Sequence, residues 1–214
     1  ELFPDFLDSA MRISSTFRCY DDALSHVIDM RESAKRESIA NSMSDDELDH
    51  LLNTKLFPYQ KEGVKFAFVK GRSLIADEMG LGKTLETIAF LAARSRDGRT
   101  LIVCPASVVY NWGSEVRRFA PQLECRLITG TMEMRHEKIK EAGQNDILIT
   151  SYDSMKRDME VYDAMDFAFE VIDEAQYIKN PDTQAAQAVK SIHAGFRIAL
   201  TGTPIENRLS ELWS

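Results

Sequence analysis

From residue 56 onward the chain repeats one pattern: a short apolar run, a longer amphipathic stretch, then another apolar run. The runs fall at 73–76, 100–104, 125–128, 146–150, 167–172 and 196–200. Helical spacing occupies 59–69, 84–95, 108–119, 132–141, 153–160 and 182–192. Strands separated in this way are joined by crossovers rather than hairpins, so neighbouring strands run parallel. Parallel strands are covered on both faces, which makes the layers helix, sheet, helix. The pattern predicts an α/β domain over 56–214, three layers thick, with a mainly parallel central sheet. A chain of 214 residues accommodates one such domain and a small addition.

Residues 1–55 read differently. Ala23, Leu24, Val27, Ile28 and Arg31 recur at helical spacing without strand alternation. Ser44-Asp45-Asp46-Glu47 has the form of a capping box, and Leu48, Leu51 and Leu52 supply a small apolar face behind it. This part is expected to be a helical appendage or a partial upstream region. It carries twice as many acidic as basic side chains, a poor surface for nucleic acid.

The net charge of −8 argues against a binder held by overall positive charge and leaves room for a local basic groove. No run of 18 apolar residues is present, so no membrane-spanning helix is expected. The opening Glu1-Leu2-Phe3-Pro4-Asp5 does not have the pattern of a signal peptide. Cys19, Cys104 and Cys125 are scattered and read as reduced thiols. His26, His50, His136 and His193 lack metal-ligand spacing with a cysteine, and no zinc site is expected.

Two motifs carry chemistry. The stretch Asp77-Glu78-Met79-Gly80-Leu81-Gly82-Lys83-Thr84 follows a strand and opens a helix. The strict Walker A pattern wants glycine where Asp77 stands, but the context is that of a phosphate loop. Gly80 and Gly82 permit a tight turn whose N–H groups face an anion, and the next helix aims its N-terminus there. Lys83 reaches the β- and γ-phosphates, and the Thr84 hydroxyl suits Mg²⁺. The competing reading is a glycine turn with an exposed lysine.

The second motif is Asp173-Glu174, directly after the run 167–172. Ligands gather at the carboxyl ends of strands in open α/β sheets. Asp173 is placed to hold Mg²⁺, and Glu174 to orient and deprotonate a water for attack on a γ-phosphate. Alone, such a pair is also readable as an N-terminal helix cap; beside a phosphate loop it reads as catalytic.

Several further stretches occur in a definite order: Leu56-Phe-Pro-Tyr-Gln60-Lys-Glu-Gly63, the phosphate loop, Leu101-Ile-Val-Cys-Pro-Ala-Ser107 continuing to Asn111-Trp112, Ile149-Thr-Ser-Tyr-Asp153, Asp173-Glu-Ala-Gln176, and Leu200-Thr-Gly-Thr-Pro-Ile-Glu-Asn207 with Leu212-Trp213. Together they resemble the first RecA-like lobe of the SNF2 family, superfamily 2 DNA translocases, and are most like bacterial members. The likeness covers about 56–214 and includes Asp77 in the loop. Gln176 stands where many members have His.

The resemblance implies ATP and Mg²⁺ as cofactors and double-stranded DNA, held by its phosphate backbone, as partner. It assigns adenine contact to Gln60 and nucleotide binding to Gly80, Leu81, Gly82, Lys83 and Thr84. Metal and water chemistry fall to Thr84, Asp173 and Glu174. Coupling of nucleotide state to DNA falls to Gln176, Thr201 and Thr203. Ser107, Asn111, Thr150 and Ser151 become the DNA-facing set. Ser107 and Ser151 are also readable as ordinary helix caps, and Trp112 as core packing or DNA contact. Arg94, Arg96, Arg117 and Arg118 are readable as solvated surface.

The chain ends at Ser214, and the family's second lobe is expected beyond it, with the arginine finger and the other half of the DNA track. One lobe by itself is expected to be nearly inactive. Other function classes are an RNA-directed or unwinding superfamily 2 helicase, an inert nucleotide- or protein-binding module, and a small-molecule kinase. The expected location is the cytoplasm, with the nucleoid, in a bacterium, or the nucleus in a eukaryote.

Overall fold

The segment Thr100–Cys104 is buried at every position, which is what a strand covered on both faces requires. It is β2 of a six-stranded sheet that also contains β1 (Arg72–Ile75), β3 (Cys125–Leu127), β4 (Ile147–Ser151), β5 (Phe167–Asp173) and β6 (Ala194–Leu200). The computed structural model describes residue 13 and residues 21–75 and 80–202. Expectations that concern Asp77 and the rest of 76–79, Thr203 and the rest of 203–214, and Cys19 lie outside the described residues. The strand order is β1-β6-β5-β2-β4-β3, and every pairing is parallel.

Nine helices accompany the sheet in the described residues: α1 (Asp21–Ser42), α2 (Asp45–His50), α3 (Pro58–Lys70), α4 (Lys83–Ala93), α5 (Val109–Phe119), α6 (Met132–Lys140), α7 (Tyr152–Arg157), α8 (Met159–Tyr162) and α9 (Gln184–Ser191). Two apolar clusters divide them. On one face Phe68, Phe90, Trp112 and Val116 from α3, α4 and α5 meet Ile102, Ile149, Phe169 and Val171. On the other, Ile139, Met155, Tyr162 and Val189 from α6 to α9 meet Leu101, Val103, Leu148 and Ile172. Neighbouring residues of β2 point to opposite clusters, the period-two alternation of a strand.

The distribution has a topological cause. From β1 to β2 and from β2 to β3 the chain moves one way across the sheet, and α4 and α5 lie on one face. From β3 back to β6 it moves the other way, and α6 to α9 lie on the opposite face. A constant crossover handedness demands this exchange when the direction reverses.

The expected helix over 153–160 is broken in two at Asp158. The fully buried Asp158 carboxylate accepts Arg135 Nε at 2.6 Å and Nη2 at 2.8 Å, and faces His136 Nε2 at 3.1 Å. A bidentate ion pair of this kind outweighs continued helix at a single residue. No periodicity reveals it, because Arg135 belongs to another helix.

The capping box at Ser44 is present in full: Ser44 Oγ accepts Glu47 N at 3.1 Å, and Glu47 Oε2 accepts Ser44 N at 2.8 Å. α1 and α2 are helical, as the spacing predicts. Ala40, Leu48, Leu52 and Leu56 join the cluster that holds Phe68 and Phe90. Lys61–Asp49 at 2.9 Å, Lys65–Asp45 at 2.8 Å and Gln122 Nε2 to Leu51 O at 2.7 Å stitch this segment to α3 and to the turn after α5. Acidic side chains of the first 55 residues are thus partly spent on the lysines of α3.

Candidate active site at the carboxyl edge of the sheet

Because all six strands are parallel, their carboxyl ends share one edge. The residues singled out in the sequence converge there: the loop before α4 after β1, Ser107 after β2, Ser151 at the end of β4, Asp173 and Glu174 at the end of β5, and Thr201 after β6.

Gly80 and Gly82 both adopt left-handed φ, +89° and +88°. Gly82 is the N-cap of α4 and offers no capping side chain, so the first turn meets any anion with its backbone. A Cβ on Gly82 would lie 2.5 Å from Gln60 Nε2, whereas one on Gly80 would meet nothing within 4 Å among the described residues. The approach at Gly82 is made by a brace from α3. Gln60, 2% exposed, donates from Nε2 to Leu81 O at 3.1 Å and accepts Phe57 N through Oε1 at 2.9 Å. Tyr59 donates its hydroxyl to the same Leu81 carbonyl at 2.9 Å. Lys83 and Thr84 are the first two residues of α4, half-buried on the loop side.

Asp173 is gripped from three directions. Its Oδ2 accepts the indole N–H of Trp112 at 2.8 Å, and its Oδ1 accepts Glu174 N at 2.9 Å. Its main-chain carbonyl accepts the Tyr152 hydroxyl at 2.6 Å. Burial pushes the Asp173 carboxyl up from its ordinary value; the Trp112 hydrogen bond opposes this, the Glu174 charge adds to it, and nearby Lys83 pulls it down. The phosphate-loop lysine and the strand-end acid therefore share one electrostatic neighbourhood. Cys104 beside them is no nucleophile: burial, and then the Asp173 charge, push its thiol up to about 12.

Glu174 is the one non-glycine residue with left-handed φ, +52°, among the described residues. Such strain is held at sites where the direction of a side chain matters. Glu174 Oε2 accepts the Gln176 side-chain amide, and Gln176 Oε1 accepts Thr201 Oγ1 at 2.8 Å. A hydrogen-bonded line thus runs from the water-base candidate to the tip of β6. Thr203, its expected companion, lies outside the described residues.

The DNA-facing set divides. Ser107 and Ser151 meet in one groove of about 740 Å³, lined also by Tyr152, Lys156, Tyr177 and Thr183. A smaller groove of about 350 Å³ joins Ser107 to Glu174, Gln176 and Gly202. Ser151 is in addition the cap of α7, its Oγ accepting Ser154 N at 3.2 Å. Asn111 is exposed on the first turn of α5. Thr150 does not join them. It is 0% exposed, inside a strand that is buried at every position; Ser151, at the strand's end and 8% exposed, still reaches the groove. Arg94 is not solvated surface either: its guanidinium lies 4.1 Å from the Phe196 ring centroid and pairs with Asp97.

Three participants had no role at Asp173 or in the groove wall assigned from the sequence. Trp112 was readable two ways; it is core by burial and a partner of Asp173 by its N–H. Tyr152 and Tyr177 stack at 5.3 Å with an interplanar angle of 5° and carried no signal beyond being aromatic.

The described residues of the site fit a magnesium-bound triphosphate in kind. The bare start of α4, with Lys83 and Thr84 in its first turn, and Asp173 at the same sheet edge are the donors such a group needs. Fold and site together define a P-loop domain of the RecA-like α/β type.

Comparison with known proteins narrows this. The model of the SNF2-related domain matches residues 59–214, and the chain belongs to that family. It is 37% identical over 212 residues to a protein of Mycoplasma pneumoniae described as an "uncharacterized ATP-dependent helicase", covering 94% of this chain and 20% of that protein. It is 36% identical over 182 residues to the TATA-binding protein-associated factor MOT1 of Saccharomyces cerevisiae, covering 76% of this chain and 10% of that one. Among solved structures it is similar to the Sulfolobus solfataricus SWI2/SNF2 ATPase core in complex with double-stranded DNA. The TM-score is 0.67 with 37% identity, over 76% of this chain and 35% of the other. The chain spans a fifth or less of the length of these two curated relatives.

Proposed function

We propose that this chain is the first ATPase lobe of an SNF2-type translocase that moves along double-stranded DNA, hydrolysing ATP to ADP and phosphate. The observation that carries the reading is the shared carboxyl edge of the sheet, where the loop before α4, Asp173 and Glu174 all lie. The similar archaeal ATPase core bound to duplex DNA supports the choice of nucleic acid.

Gln60 has one amide hydrogen left for a base, since its other hydrogen and its carbonyl are engaged with Leu81 and Phe57. The N-terminus of α4 and Lys83 hold the phosphates. Thr84 and Asp173 would hold Mg²⁺, which would supply neutralisation of phosphate charge. Glu174 orients a water and accepts its proton while the water oxygen bonds to the γ-phosphorus. The bond from that phosphorus to the bridging oxygen breaks, and ADP leaves with the electron pair. The line Glu174–Gln176–Thr201 connects this event to the end of β6. Ser107, Asn111 and Ser151 meet the DNA backbone through hydroxyl, amide and helix-start N–H groups, a sequence-tolerant mode of contact.

A second lobe closing over this edge supplies the arginine finger and excludes water, so the single lobe is proposed to be nearly inactive. The test is ATPase activity of the full-length protein with duplex DNA, single-stranded DNA and RNA compared as activators. Stimulation by duplex DNA that is abolished by Lys83→Ala is expected. Preference for RNA or single strands would move the protein to the unwinding helicases. Absence of Mg-ATP binding in the wild type would make the fold an inert module.

A further inference from the structure

A buried tryptophan needs an acceptor for its N–H, and most find a backbone carbonyl or a neutral side chain. Trp112, 1% exposed, instead donates to the carboxylate proposed to hold the metal. It sits on α5 one residue after the exposed Asn111, and η1 (Ala106–Val108), which carries Ser107, leads directly into that helix. The main-chain carbonyl of the same aspartate is held by Tyr152, at the start of α7 and next to the cap residue Ser151. Tyr152 in turn lies flat against Tyr177, 58% exposed in the groove wall.

We propose that Trp112 is a positioning residue for Asp173, and that with Tyr152 it mounts this residue on α5, which continues η1, and on α7; η1 and the start of α7 line the groove. The proposal rests on the functional reading above and extends it. The carboxylate has two oxygens and rotates readily about its last bond. With Oδ2 pinned by the indole and Oδ1 by Glu174 N, that rotation is stopped, and each oxygen keeps a lone pair for a cation. Hydrogen bonds behind a metal ligand that fix its direction commonly account for about 10–100-fold in metal affinity. Here the fixing groups belong to the elements proposed to touch DNA, so backbone occupancy of the groove and the direction of the metal carboxylate share one support.

The experiment uses the full-length protein and Trp112→Phe, which keeps an aromatic ring in the core and deletes the N–H. Binding of a fluorescent ATP analogue is titrated with Mg²⁺. The expected result is a rise of about tenfold or more in the Mg²⁺ needed for half-maximal binding. The thermal midpoint and circular dichroism should stay close to wild type, and the DNA concentration for half-maximal ATPase stimulation should change less than twofold while kcat falls. An unchanged Mg²⁺ requirement in a folded variant overturns the proposal. If Trp112→Phe does not fold, the wild type labelled with 5-fluorotryptophan decides. The ¹⁹F resonance of Trp112 must shift when Mg²⁺ is added to the nucleotide complex, and a resonance that stays still overturns the proposal. Failure of the wild type to bind Mg-nucleotide at all would instead remove the ATPase reading, so the two failures are distinguishable.

Discussion

Glu170 and Asp173 stand on the same strand, one in its middle and one at its carboxyl end, and both are carboxyls that burial pushes up. Glu170, 0% exposed, rises to about 8 from an ordinary value near 4.5, although the Arg197 charge pulls the other way. Arg197 Nε lies 2.9 Å from Glu170 Oε2, and Arg197 Nη2 also donates to the carbonyls of Lys190 and Ile192 at the end of α9. This pair lies under a helix and fastens α9 to the sheet. Asp173 is only half-buried, opens to the ligand edge and takes its opposing interactions from Trp112 and Lys83. A perturbed acid is therefore a weak sign of function by itself. Position at the carboxyl edge separates the two roles.

The sharpest way to break this comparison is to neutralise an acid in each setting. Glu174→Gln at the edge should lower kcat for ATP hydrolysis by about 10²–10⁴-fold while nucleotide binding persists. Glu170→Gln in the sheet should leave kcat within about twofold, since neither substrate nor metal is in reach. Steady-state ATPase assays of the full-length protein check both, and a comparable loss in Glu170→Gln would erase the distinction.

The next effect is on stability against pH. Glu170 holds a proton in the folded state up to about pH 8, whereas the unfolded chain releases it near 4.5. The folded state binds more protons across that window, so this group's contribution to stability is full below about 4.5 and declines as pH rises towards 8. Urea midpoints between these limits should fall in the wild type, with a clearly smaller slope in Glu170→Gln.

Within the phosphate loop the contrast is finer. Ala at Gly80 meets only the left-handed φ penalty, about 1–2 kcal/mol. Ala at Gly82 carries the same penalty and must also displace Gln60, so it should weaken nucleotide binding more than Gly80→Ala does. Calorimetric affinities of the two variants test the order. Smallest of all is Ser44→Ala, far from the edge. It removes one cap and should cost about 1 kcal/mol of stability with no change in hydrolysis.

Much of the fold was legible because its rules are local. The apolar runs at 100–104 and 167–172 became strands almost without adjustment, since a strand buried on both faces is mostly apolar, buried Thr100 and Glu170 being the exceptions. The capping box at Ser44 and the glycine loop before Lys83 depend on residues a few places apart, and both were readable. Three features were not. The break at Asp158 is caused by Arg135, the burial of Thr150 by helices packed on both faces of β4, and the tie between Trp112 and Asp173 joins two segments 61 residues apart. Sequence periodicity reports a residue's neighbours along one element and is silent about partners on another.

By itself the sequence determined the element order, the parallel sheet and the types of chemistry available: a phosphate loop, a pair of acids and an ordered set of motifs. The tertiary structure decided which groups meet. It brought the ends of β1, β4, β5 and β6 to one edge, turned Trp112 and Tyr152 onto Asp173, and hid Thr150. The physical reason is that hydrogen bonds and charges act over a few ångströms in space, whatever distance along the chain separates their owners.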